Sequence, residues 1–266
     1  NHGHYAVRAG RRPMVVTAMG SDVLLAPNES WLLSRIVRRT ARGADRVVAV
    51  APHLADRLEK WGVPSSRLSI TPLGVDSSLF KPGSKELLVL CSRGFKEIYD
   101  PLTLAYSLPQ VVEQVPMVRF VLPGKGPLKK EVEALVAKMD LLDKVDLPGN
   151  ISLQSMARLA ARARVMVSPS LSDGTPVSVL EGLSAGCVLV ASEIEGNRGW
   201  VVPGKNGLLF PPGDPDALAE ALVQALTNDS LAEHALWKGP QIVKSDGDWQ
   251  ITSERVEELY FDLVGA

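Results

Sequence analysis

The chain has 266 residues and a mass of 28.6 kDa, room for one large domain or two modest ones. Apolar residues make up 45% and charged residues 22%, which excludes a disordered chain or a coiled coil. Lys and Arg number 29 against 30 Asp and Glu, a balance that argues against general affinity for nucleic acid. No apolar run approaches the roughly 18 residues of a membrane span. The opening NHGHYAVRAGRRP lacks the apolar stretch of a signal peptide. It also lacks an initiator Met, so the natural N-terminus is expected upstream. Cys91 and Cys187 lie in strand-like apolar contexts and read as reduced core residues of a cytoplasmic protein.

In chain order, short β-rich runs alternate with helical stretches, the signal of parallel βαβ units. Strands are predicted at 13–19, 45–50, 67–73, 86–92, 118–124, 144–149, 165–170, 188–192 and 207–211. Most are apolar throughout, as strands covered on both faces are. Helices are predicted at 30–43, 52–61, 101–114, 127–140, 152–162, 177–186, 215–227, 229–237 and 251–264. Ser152 and the Asp214–Pro215 pair supply helix starts. The polar, Gly- and Pro-rich segment 74–85 reads as a linker. It divides a partial α/β domain (1–73) from a complete doubly wound one (86–240), with the segment 241–266 reaching back toward the first. A three-stranded parallel sheet with two helices covers its faces poorly, so the front part reads as the back half of a domain, prone to self-association.

The most informative stretch is VMVSPSLSDGTPVSVLEGLSAGCVLVAS, 165–192. A buried strand is expected to end at Ser170, and a loop carrying Asp173, Gly174, Thr175 and Pro176 opens into a helix holding Glu181. Pro176 suits the first helical turn, and the N–H groups of Gly174, Thr175, Val177 and Ser178 would form an anion site at the helix N-terminus. Doubly wound sheets bind ligands in the cleft at the carboxyl ends of their strands. A carboxylate such as Glu181, a turn into the helix, suits ribose hydroxyls there. The plain alternative is that Asp173 is a turn cap and Glu181 a solvated helix residue.

This stretch resembles the signature of retaining glycosyltransferases of the GT-B fold, family GT4: two acidic residues with seven between, around a GxP turn. Here Asp173 stands where the family usually has Glu. PLGVD (72–76), LPGKGP (122–127) and EGNRGWVVPGKNGLLFPPGD (195–214) follow in the family's order, so the resemblance covers essentially the whole chain. It implies two Rossmann-like α/β domains, a nucleotide-diphosphate sugar as donor, with UDP favoured, and no resident cofactor or metal. By the same resemblance Asp173 meets the hydroxyls of the donor sugar and Glu181 the ribose. Gly124 lines the nucleotide site, and backbone groups near Asn150 and Ile151 meet the base. For Gly126 and Gly149 a simple tight-turn role is an equal reading.

In CSRGFKEIYDP (91–101) the family places an Arg and, several residues on, a Lys to hold the diphosphate. Arg93 matches. Tyr99 occupies the Lys position and Lys96 lies three residues nearer, so either Lys96 substitutes or the site is electrostatically weaker. TAMGSDV (17–23) replaces the family's T-x-H-G, with Met19 where the His stands. Any proton-transfer role is then lost or moved to Asp22. His2 and His4 read as part of a frayed terminus. Asp214 and Asp216 read as a helix cap, not a metal site.

Arg35, Arg38, Arg39, Arg42 and Arg46 form one basic stripe beside Trp31, Leu32, Leu33, Ile36 and Val37. It has two readings: a patch for anionic lipid or a lipid-phosphate acceptor at the inner face of the membrane, or a solvated helix face. The acceptor class is a saccharide or a lipid-linked sugar. A non-catalytic nucleotide-sugar-binding subunit and a sugar-nucleotide epimerase are the alternative functions.

Overall fold

The computed structural model describes residues 2–10 and 12–265. By contacts the described chain divides into two compact units. The first holds residues up to Gly74, Ser172–Thr175, and the chain from Trp249 onward; the second holds Val75–Leu171 and Pro176–Asp248.

The first unit opens with α1 (His2–Ala9), so the expectation of a frayed terminus is corrected. Val7 anchors this helix, packing under Gly43 against the unit's core. The ring of His4 meets Tyr5 edge-on at 5.7 Å; the side chain of His2 lies outside the described residues. Then come β1 (Val15–Ala18), the short turns α2 (Ser21–Leu24) and α3 (Ala26–Glu29), α4 (Trp31–Gly43), β2 (Arg46–Ala49), α5 (Pro52–Lys60) and β3 (Leu68–Ile70). The strands form a parallel sheet in the order β1-β2-β3. The Ser30 hydroxyl starts α4 by accepting from the Leu33 N–H at 3.1 Å. The helix stops at Gly43, so Arg46 belongs to β2 and not to the basic stripe.

The second unit contains β4 (Glu86–Leu90), α6 (Pro101–Gln114), β5 (Arg119–Val121), α7 (Lys129–Lys138), β6 (Val145–Asp146), α8 (Leu153–Arg162), β7 (Ala163–Ser168), α9 (Val177–Ser184), β8 (Val188–Ser192), α10 (Glu195–Arg198), β9 (Gly207–Phe210), α11 (Pro215–Thr227) and α12 (Asp229–Ile242). Its strands are parallel in the order β6-β5-β4-β7-β8-β9. The chain therefore winds outward in one direction from β4, then crosses to β7 and winds the other way. Ligands bind beside that reversal in open α/β sheets.

The central strands explain the unbroken apolar runs. Val89 and Cys91 point to a core under α6 and α11, while Leu88 and Leu90 point to a core under α8 and α9. One strand feeds both faces, so no polar alternation remains. Both cysteines are free and buried, and burial pushes the Cys91 thiol up to about 11.

Segment 74–85 is partly built into the fold: Val75 and Phe80 are buried, and the Val75 N–H donates to the Gly247 carbonyl at 2.9 Å. β7 closes at Ser168, two residues before the expected Ser170. α12 runs past the expected end at 237 and through Pro240. Gly239 there lies so near α9 that an added Cβ would sit 2.5 Å from the Leu183 carbonyl oxygen, so packing carries the helix through a Gly–Pro pair. α13 (Trp249–Val264) belongs to the first unit.

Candidate functional site

In the second unit the turn of the sheet lies between β4 and β7, and the segments leaving those two strands converge chemically. β4 delivers Ser92 and Arg93; the chain beyond β7 leads into α9, which carries Ser178 and Glu181. The Ser92 hydroxyl donates to Glu181 Oε2 at 3.4 Å. Arg93 Nη1 donates to the Ser178 hydroxyl at 3.4 Å. Burial pushes the Glu181 carboxyl up to about 7, against the opposing pull of the Ser92 hydrogen bond and the Arg93 charge.

Pro176 is extended (φ −76°, ψ 95°) and stands at the N-cap of α9, one position before the first helical turn expected for it. No side chain caps this helix, so the N–H groups of Val177 and Ser178 lie outside its ladder and form the positive end of the helix.

Tyr99 packs against Arg93. The Arg93 guanidinium lies over its ring face, 4.1 Å from the centroid. The phenol thus orients the cation, rather than substituting for one. Tyr99 ends a single 3-10 turn, Glu97–Tyr99, and Asp100 follows at φ 43°. The Asp100 carboxylate accepts from the Thr103 hydroxyl at 2.6 Å and the Thr103 N–H at 3.3 Å. These bonds hold the left-handed kink and start α6. Lys96 is exposed, at the N-cap of the 3-10 turn.

The loops after β4, β5 and β6 are stitched to one another. The Phe95 N–H donates to the Lys125 carbonyl and the Leu128 N–H to the Phe95 carbonyl, each at 3.1 Å, and the Gly124 N–H donates to the Gly149 carbonyl at 2.7 Å. A Cβ on Gly126 would fall 2.1 Å from the Phe95 carbonyl oxygen, so only glycine lets these loops meet. Half-buried Ile151 precedes Ser152, whose hydroxyl caps α8 by accepting from the Ser155 N–H at 3.2 Å.

In the first unit, the segment Ser172–Thr175 lies on the end of β1 and the start of α5. Gly174 has no room for a side chain: a Cβ would sit 2.5 Å from the Met19 carbonyl oxygen. The Thr175 hydroxyl donates to the Val50 carbonyl, and His53 Nε2–H donates to the Asp173 carbonyl at 3.2 Å. Sequence reading passed over His53 and Ser92. An apolar strand running into PHL, and a Ser beside the strand-end Arg93, were the available signals. The Asp22 carboxylate accepts from the Gly20 N–H at 2.8 Å and the Met19 N–H at 3.1 Å, bracing the turn before α2. The Asp214 carboxylate accepts from the Asp216 and Ala217 N–H groups, the helix cap expected of it. Among the described residues no cluster of His, Cys, Asp and Glu has metal-site geometry.

Comparison with known proteins identifies the family and the fold. The model described as Glycosyl transferases group 1 matches residues 86–228, and the model described as Glycosyltransferase Family 4 matches residues 2–79. The chain is 25% identical over 231 residues to the putative colanic acid biosynthesis glycosyltransferase WcaL of Escherichia coli K12, covering 82% of this chain and 57% of that protein. It is 24% identical to the GDP-mannose-dependent alpha-(1-6)-phosphatidylinositol monomannoside mannosyltransferase of Mycolicibacterium smegmatis, covering 97% of this chain and 72% of that one. The structure of HepE from Anabaena, solved in complex with UDP and glucose, superimposes with a TM-score of 0.85 at 19% identity, covering 97% of this chain and 74% of that chain. The likeness shows a GT-B type fold of Rossmann-like units. The chain spans about half the length of the first curated relatives it matches, 57% and 48%.

Proposed function

The chain belongs to the Glycosyl transferases group 1 family, and on that premise we propose that it transfers a sugar from a nucleotide-diphosphate donor to an acceptor hydroxyl with retention of configuration. The observation that carries this reading is the Ser92–Glu181 hydrogen bond with Arg93 beside it, at the reversal of the sheet. Glu181 accepts from the ribose hydroxyls. Arg93, fixed on the Tyr99 ring, and the N–H groups opening α9 hold the diphosphate. As the bond from the anomeric carbon to the diphosphate breaks, charge grows on the leaving phosphate, and a fixed cation and helix dipole stabilise it without a metal ion.

Asp173 receives the hydroxyls of the donor sugar, and retention is supported by the resemblance of the stretch from Asp173 to Glu181 to the signature of the retaining family. Lys96, exposed at the start of the 3-10 turn, is a second cation for the leaving group. Gly124 and the backbone near Ile151 face the nucleoside. UDP is the favoured carrier, supported by the UDP complex of HepE, while the GDP-mannose-dependent relative keeps guanine as the comparison arm. The acceptor is a saccharide or a lipid-linked one.

Met19 and the braced Asp22 favour one second reading, a nucleotide-sugar-binding subunit that does not turn over. Neither side chain is set up to move a proton from an acceptor. A thermal-shift panel of UDP-, GDP- and ADP-sugars, followed by a donor-hydrolysis assay with the preferred one, tests both readings. Stabilisation with hydrolysis supports the transferase, and stabilisation without hydrolysis supports the subunit. No stabilisation by any member removes the donor site.

A further inference from the structure

The donor chemistry leaves one face of the first unit unused, the outer side of α1 and α4. α4 carries Arg35, Arg38, Arg39 and Arg42 and not a single Asp or Glu, and α1 adds Arg8, again without an acid. The charge is concentrated: residues 1–74 hold eleven Lys and Arg against five Asp and Glu, in a chain whose net charge is −1. No ion pair among the described residues engages Arg35, Arg38 or Arg39; Arg12 is the cation that pairs with Asp45, at 2.7 Å.

The stripe divides by function. Arg42 Nε–H donates to the Trp61 carbonyl at 2.5 Å, and the Arg38 guanidinium stands 5.3 Å from the Trp61 ring centroid, so these two tie α4 to the end of α5. Arg35 and Arg39 are exposed and have no such tie. With Trp31 and Ser34 they line a depression of about 730 Å³ along the helix. At its N-terminal end Trp31 is 77% and Leu32 52% exposed. A solvated helix face gives no reason for these large side chains to stand in water beside cations. An interface that is apolar at one depth and anionic at another does.

We propose that this face docks on an anionic lipid bilayer, with Arg35 and Arg39 over headgroup phosphates and Trp31 and Leu32 in the headgroup layer. The opposite side of α4, through Val37, Thr40 and Ala41, is buried in the unit's core. The helix therefore lies along the membrane surface without leaving its own fold. None of these residues belongs to the donor site, so docking and donor binding stand or fall separately.

The test is co-sedimentation of the whole chain with vesicles of phosphatidylcholine alone and of phosphatidylcholine mixed with phosphatidylglycerol. The chain is expected to sediment with the mixed vesicles only, and less as salt rises. At about 1 kcal/mol per cation near an anionic surface, the Arg35→Ala/Arg39→Ala double variant should partition roughly thirtyfold more weakly. Trp31→Ala should also weaken it. UDP-induced thermal stabilisation should stay unchanged in both variants, which shows that they are folded. Equal binding to neutral vesicles, no binding to anionic ones, or undiminished binding by the double variant overturns the proposal. So does displacement of the bound chain by a short DNA duplex, which would make the patch a general polyanion surface.

Discussion

Glu181 should make nucleotide binding depend on pH near neutrality. Burial raises its carboxyl from 4.5 to about 7 in the free protein. At about 1.4 kcal/mol per pH unit, ionising it in place costs about 3 kcal/mol. Because its native pKa lies above its unfolded one, the folded state binds the extra proton, and stability falls as pH rises from about 4.5 to about 7 and is level beyond. On the proposed reading, ribose hydroxyls donate to the ionised form and draw the pKa back down when the nucleotide binds. If they restored the ordinary value, affinity would rise roughly twenty- to thirtyfold between about pH 5.5 and about pH 8. The UDP phosphate also titrates in this range, so the comparison is calorimetric titration of the parent chain and Glu181→Gln across that interval. The nucleotide's own protons cancel in the ratio. The variant should lose the Glu181 contribution to the slope and, in thermal melts above about pH 7, gain up to about 3 kcal/mol of stability. Glu181→Ala should weaken binding by about 1–3 kcal/mol through loss of a charged acceptor. Identical pH slopes in the parent and the Gln variant would refute the ribose role.

Tyr99→Phe should leave UDP affinity unchanged, because the ring face and not the hydroxyl holds Arg93, whereas Tyr99→Ala should lower it about 3- to 30-fold, the range of a partly buried cation–π contact. Arg93→Ala should weaken UDP far more than uridine in the same titration, and equal losses would reduce Arg93 to a support of the fold. Gly126→Ala should lose at least about 1–3 kcal/mol in denaturant unfolding from its clash with Phe95. Gly199→Ala, where an added Cβ meets nothing within 4 Å at a helical φ of −70°, should be neutral or slightly stabilising. Asp173→Glu should keep donor turnover and Asp173→Asn should lower it; turnover unaffected by Asn would make Asp173 a turn residue only.

The parts of the fold that were legible in the sequence are those where one local rule decides. All nine expected strands form, since apolar β-branched runs between turn residues leave little choice. α8 and α11 begin directly after the caps read from Ser152 and Asp214, and α9 begins one residue after the Pro176 expected in its first turn. What the sequence hid are features decided by partners far along the chain. α12 passes through Gly239 and Pro240 because Leu183 leaves space for nothing larger than a glycine there. α1 forms at a terminus that looks frayed because Val7 has a core to enter.

Tyr99 is the sharpest case of this division, and it bears on the chemistry. Aligned by spacing, it is a lost cation, and the site then looks weakened. In space it is the surface on which Arg93 lies, so that charge has a defined direction. A Lys at that position would add a second flexible charge, whose orientation must be bought from side-chain entropy when the donor binds. A guanidinium stacked on a ring and hydrogen-bonded to Ser178 has surrendered that freedom before the ligand arrives. Preorganised charge is what stabilises a departing phosphate. On the proposed reading Tyr99 therefore supplies fixity to Arg93 while exposed Lys96 remains the flexible charge, and the distinction between Tyr99→Phe and Tyr99→Ala measures that fixity directly.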